Sequence, residues 1–72
     1  MKQRLRLMEA EARVAEGERG VALQKRLVRE LEAYGEDSRA ARKVLARYEK
    51  AQAVLVGDRD RLAKELAGRA NQ

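Results

Sequence analysis

The chain contains no cysteine, histidine, proline, tryptophan or phenylalanine. Without cysteine no disulfide can form and no thiolate can hold a metal. Without histidine the usual zinc ligand sets are ruled out, as is the side chain that most often moves protons at neutral pH. The only aromatic residues are Tyr34 and Tyr48, which offers little for stacking on the bases of single-stranded nucleic acid. No apolar run approaches the roughly 20 residues needed to span a bilayer. The opening stretch, from Met1 to Glu9, lacks the apolar segment of a signal peptide. A cytoplasmic location is therefore expected.

What is present favours helix: alanine, leucine, glutamate, lysine and arginine dominate. Seventy-two residues make one small domain, 1–72, and a core of that size supplies only a few kcal/mol, so such chains rely on a staple or a partner. The net charge is +5, but 12 acidic side chains are mixed among 17 basic ones, a pattern typical of solvated helix faces. The basic balance keeps nucleic acid among the possible partners.

The strongest punctuation is Gly35-Glu36-Asp37-Ser38. Gly35 suits the left-handed position just after a helix, and Asp37 or Ser38 suits an N-cap. The expected elements are a first helix over about 3–34, a turn at 35–37, a second helix over about 38–67 and a frayed tail at 68–72. A connection this short makes the two helices antiparallel.

The first helix repeats every seven residues at Leu7, Val14, Val21 and Val28, with Ala10, Gly17, Gln24 and Leu31 three places later. This is coiled-coil spacing. A second stripe, Leu23, Leu27, Leu31 and Tyr34, runs beside it near the turn. The second helix has Ala41, Val44, Leu45, Tyr48, Gln52, Leu55, Leu62 and Leu66 at three- and four-residue steps, interrupted by Asp58 and Arg59. If the turn is symmetric, facing residues have numbers adding to about 72. Gly17 then meets Leu55, Gln24 meets Tyr48, and Ala10 meets Leu62.

The apolar surface exceeds what one hairpin can hide. Val54, Leu55 and Val56 are consecutive and so cover more than half the circumference of their helix. Leu5 and Leu7 repeat the point on the first helix. The fold class expected is an all-α antiparallel hairpin that pairs with a second copy into a four-helix bundle. The residues expected to carry self-association are Leu5, Val14, Val21, Val28, Leu31, Tyr48, Val54, Leu55, Val56 and Leu62.

Gly17, Gly20 and Gly57 lie inside helices, where each costs about 1 kcal/mol relative to alanine. Gly17 is expected to face the core, and the other two to be tolerated weak points or local kinks, with a waist where backbones approach closely or a partner inserts as the alternative.

Arg39, Arg42, Lys43, Arg47 and Lys50 form a basic stripe on the second helix. Its first members stand at a helix N-terminus, and several are like-charge pairs four apart, both unfavourable placements. Such a stripe is a candidate for phosphate, with Glu30, Glu32, Glu36 and Asp37 near enough to neutralise it. In Asp58-Arg59-Asp60-Arg61-Leu62, Asp60 is spaced to pair with Lys64 and Arg61 with Glu65. Asp58 or Arg59 could equally face a partner and fix its register. Glu9, Glu16 and Glu49 make poor metal ligands, because carboxylate metal bundles pair glutamate with a histidine three residues on. Ser38 has no base near it in sequence. No catalytic residue, metal or cofactor is expected.

The segments Val14-Ala15-Glu16-Gly17-Glu18-Arg19, Gln24-Lys25-Arg26, Gly35 with Asp37-Ser38, and above all Asp58-Arg59-Asp60-Arg61-Leu62 resemble a group of short helical proteins of alphaproteobacteria. The likeness covers about Glu11 to Leu66. Members of that group carry histidine where this chain has Arg13, Gly20, Glu36 and Leu55. The resemblance implies a small bacterial helical protein and no particular activity. In architecture the chain is also similar to the plasmid copy-number protein ROP, a hairpin that dimerises and binds paired RNA loops, but no residue of that protein's RNA site is matched.

The expected function is thus a non-enzymatic, homo-oligomeric interaction module, with a nucleic-acid-binding bundle as the alternative.

Overall fold

A computed structural model describes residues 2–70 and consists of two helices, α1 (Lys2–Ala33) and α2 (Arg39–Ala70), each of 32 residues. They pack along their whole length as an all-α antiparallel hairpin measuring 58 × 14 × 14 Å. Among the described residues no helix is long and apolar enough to cross a membrane.

The turn is built as its glycine demands. Gly35 has φ +71°, the left-handed conformation that costs a side chain dearly. The Glu36 N–H donates to the Leu31 carbonyl at 2.8 Å, and the Gly35 N–H donates to the Glu32 carbonyl at 3.1 Å. These two bonds form a Schellman cap and satisfy carbonyls the helix end would otherwise leave open.

At the start of α2 the Ser38 carbonyl accepts the Arg42 N–H at 2.8 Å, which makes Ser38 the N-cap residue by backbone position. Its hydroxyl does not cap, donating instead to Glu32 Oε2 at 3.2 Å. The Asp37 carboxylate performs the capping, accepting the Arg39 N–H at 3.0 Å.

At its far end α2 runs past the expected limit of residue 67, through Gly68 to Ala70. Arg69 in the last turn suits the negative end of the helix dipole. Asn71 and Gln72, the rest of the expected frayed tail, lie outside the described residues.

The seven-residue repeat of α1 forms the seam. Ala10, Val14 and Val28 are buried, at 4%, 3% and 6% exposure, and Leu7, Gly17, Val21, Gln24 and Leu31 are half-buried. Facing them on α2, Ala41, Leu45, Gln52, Leu55, Arg59, Leu62 and Leu66 are half-buried at the same alternating steps. Arg59 holds the place where another apolar side chain was due.

The register differs from the symmetric expectation. The Gln52 side chain, not Leu55, lies against Gly17, and the Tyr48 ring lies against Gly20 rather than Gln24. Layers built on Gly17 and Gln52 set Val14 level with Leu55, Ala10 with Arg59, and Gln24 with Leu45. Gly17 and Gly20 are the places on α1 where a missing Cβ leaves room for a long side chain, and Gln52 and Tyr48 occupy them.

Candidate functional site

The seam divides the hairpin's surface into two flanks. Successive residues are 100° apart on a helix, and the two helices run antiparallel. Residues one place before each seam position therefore share one flank, and those one place after share the other. The following flank carries Glu32 and Arg42, which the structure joins in an ion pair. The preceding flank carries Gly20, Leu23 and Leu27 on α1 and Val44, Arg47, Ala51 and Val54 on α2.

The preceding flank carries large exposed apolar side chains among charges such as Arg13, Glu16, Arg47 and Asp58. Leu23 is 61% exposed and Val54 62%, and Leu27 and Tyr48 are also exposed. A shallow groove of about 300 Å³ opens between the helices, lined by Gly17, Arg47, Tyr48, Ala51, Gln52 and Leu55. A second hollow, on α1 alone, is lined by Leu23, Gln24, Arg26, Leu27 and Glu30. Tyr34, 81% exposed, continues the band to the turn.

The groove exists because two glycines let α2 side chains lie down on the α1 backbone. A Cβ on Gly17 would stand 1.7 Å from Gln52 Oε1, an impossible distance. The freed space lets Gln52 Nε2 donate to the Val14 carbonyl at 2.9 Å, while its Oε1 is buried without a hydrogen-bond partner. A Cβ on Gly20 would meet the Tyr48 ring at 3.1 and 3.2 Å. Gly20 is therefore a packing position and not the tolerated weak point expected of it. Gly57 meets nothing within 4 Å and fits that expectation.

The residues expected to carry self-association divide into three sets. Val14 and Val28 are spent on the seam, buried by the chain's own second helix. Val21, Leu31, Leu55, Val56 and Leu62 are half-buried, with Val56 on the flank opposite the groove. Leu5, Tyr48 and Val54 are exposed. Leu5 stands on the back of α1, away from the other two. Leu23 and Leu27, absent from the expected set, extend the exposed band. Their signal was the second stripe ending at Tyr34.

The basic stripe is partly discharged. Arg39 pairs with Asp37 at 2.8 Å, and Arg42 pairs with Glu32. Bonding to the Arg39 guanidinium, aided by the Arg39 N–H, holds the Asp37 carboxyl below its ordinary range and raises the Arg39 guanidinium in turn. The Arg42 hydrogen bond, with smaller help from the Ser38 hydroxyl, likewise lowers Glu32 against a desolvation effect that opposes it. Among the described residues, Lys43, Arg47 and Lys50 have no ion-pair partner. In the other charged cluster Arg59 pairs with Asp60 at 3.0 Å and Arg61 with Asp58 at 2.9 Å, in place of the spaced pairs to Lys64 and Glu65.

Among the described residues no three histidine, cysteine, aspartate or glutamate side chains gather where they could hold a metal ion. Compared with protein-family models, curated proteins and solved structures, the chain matches none.

Proposed function

We propose that this chain is a self-associating helical module of the cytosol, non-enzymatic, whose preceding flank docks a second copy to complete a four-helix bundle. One observation carries the reading: large apolar side chains stand exposed on both helices, Leu23 and Leu27 on α1, Tyr48 and Val54 on α2, and Tyr48 lines the groove between the helices. The hairpin's own core supports it by being so small. Only Ala10, Val14 and Val28 are buried among the described residues, and small domains without disulfides or metals commonly complete their cores by association.

Solution mass tests this directly. Light scattering or sedimentation should give twice the 8.2 kDa chain mass at tens of micromolar. The double substitution Leu23→Asp and Val54→Asp should return the chain to a monomer that keeps its helical circular dichroism. A native chain that stays monomeric near 100 µM overturns the reading, and so does a double variant that associates unchanged.

A second reading rests on Lys43, Arg47 and Lys50, the three stripe members without an ion-pair partner. They would serve a phosphate backbone, with affinity falling steeply as salt rises. A mobility shift at low salt, lost in a Lys43→Ala, Arg47→Ala, Lys50→Ala variant, would favour it. No shift at about 50 mM salt would remove it.

A further inference from the structure

We infer that the open end of the hairpin, opposite the turn, rests on an anionic lipid surface, with Leu5 and Met8 entering the headgroup layer between cations. Leu5 stands on the back of α1, apart from the docking flank, so this site holds whether or not the chain self-associates.

Charge is placed unevenly along the hairpin. Residues 9–61 hold 12 cations and 11 acids and nearly balance. Residues 2–8 and 62–69, which form the open end, hold five cations, Lys2, Arg4, Arg6, Lys64 and Arg69, against one acid, Glu65. Almost all of the net charge of +5 therefore sits at one end of a hairpin 58 Å long, a length of several Debye lengths at physiological salt. None of the five cations has an ion-pair partner among the described residues. Lys2 and Arg4 also stand in the first turn of α1, where the helix dipole disfavours cations, and no acid offsets them there. Helix formation does not account for this placement.

The neighbouring apolar side chains select the kind of anion. Leu5 is 54% exposed and Met8 64%. At 100° per residue the order around α1 is Arg4, Met8, Leu5, Lys2 and Arg6, so cations bracket the two apolar side chains. Beside them a shallow hollow of about 460 Å³, lined by Lys2, Gln3, Arg6 and Arg69, joins the ends of both helices. The phosphates of a nucleic acid would use the cations and leave Leu5 and Met8 in water. A lipid surface uses both, since headgroup phosphates meet the cations while the apolar side chains reach the acyl boundary. Glu9 and Glu11 follow at once and confine the cationic surface to the first two turns of α1, so the hairpin meets the bilayer by its end.

Vesicle sedimentation tests the site. The chain should bind phosphatidylcholine vesicles containing about one quarter phosphatidylglycerol, bind pure phosphatidylcholine at least about tenfold more weakly, and lose affinity as salt rises. Lys2→Gln, Arg4→Gln and Arg6→Gln together should weaken binding about a hundredfold, at roughly fivefold per cation. The same loss of charge from the mid-helix stripe, in Lys43→Gln, Arg47→Gln and Lys50→Gln, should change it by less than about threefold. Leu5→Ser with Met8→Ser should weaken binding about tenfold with every cation kept. All these side chains are exposed, so the helical circular dichroism should be unchanged in each variant.

No binding to the anionic vesicles at about 50 mM salt overturns the inference. Equal losses from the two charge variants also overturn it, because net charge alone would then be acting. So does undiminished binding by the Leu5 and Met8 variant, or a duplex RNA held more tightly than the vesicles through the same cations.

Discussion

The two helices are equal in length and unequal in role. The three buried residues among those described, Ala10, Val14 and Val28, belong to α1, and none belongs to α2. From Ala10 to Val28 the seam of α1 is small, with alanine, valine and glycine at every place but Gln24. The seam of α2 is large, with Leu45, Tyr48, Gln52, Leu55, Arg59 and Leu62. The long side chains of α2 lie across α1 and cover it, and in doing so keep one side of themselves in water. Close approach on one helix thus creates half-exposed bulk on the other, and that bulk borders the groove. The hairpin's packing asymmetry and its unpartnered flank are one feature.

The sharpest way to break this comparison is to place the same charge on each side of it. Val14→Asp puts a carboxylate at a position 3% exposed, with no partner, and should cost about 3–5 kcal/mol. For a chain this small that means loss of the cooperative melt by circular dichroism. Val54→Asp, at a position 62% exposed, should leave the helical signal intact and lower only the associated mass.

Next in size is Gly17→Leu, which must expel the Gln52 side chain and push the helices apart. A cost of about 2–3 kcal/mol is expected, read as a lowered midpoint in urea. Gly57→Ala tests the opposite surface, where a Cβ meets nothing within 4 Å. It should stabilise the chain by about 1 kcal/mol and raise Tm by roughly 4–8 °C. Shifts of the same sign at both glycines would show that the helices are not held at the distance described.

The smallest effect is electrostatic and confined to the turn. Glu32 and Asp37 titrate below their ordinary values of 4.5 and 3.8 when folded. A carboxyl lowered by folding contributes its stabilisation in full above the unfolded value and loses it as pH falls through the folded one. Tm should therefore hold steady from about pH 7 to about pH 5 and decline below about pH 4.5. Glu32→Gln with Asp37→Asn should make that decline shallower. Both groups are exposed, so the difference should also shrink in high salt.

Much of the fold was legible because it is local. The seven-residue spacing of Leu7, Val14, Val21 and Val28 marks one face of a helix wherever that helix goes. Gly35 is the residue that can close the helix with a left-handed cap, and a turn as short as 35–37 makes its neighbouring helices antiparallel. The candidate surface was legible in part. Val54 and Tyr48 stood out in a crowded apolar stretch, and Leu23 and Leu27 belonged to a visible second stripe. Val14 and Val28 could not be separated from them, because spacing shows that a residue is apolar and not which helix covers it.

By itself the sequence determined two helices, the turn between them and the rows of residues that meet. These follow from backbone geometry and side-chain period, which act over a few residues at a time. Only the tertiary structure decided the register and the flank. Gln52 and Tyr48 came to rest on Gly17 and Gly20, where the missing Cβ atoms make room for them. That register sets which side chains are covered and which are left exposed, and no local rule contains it.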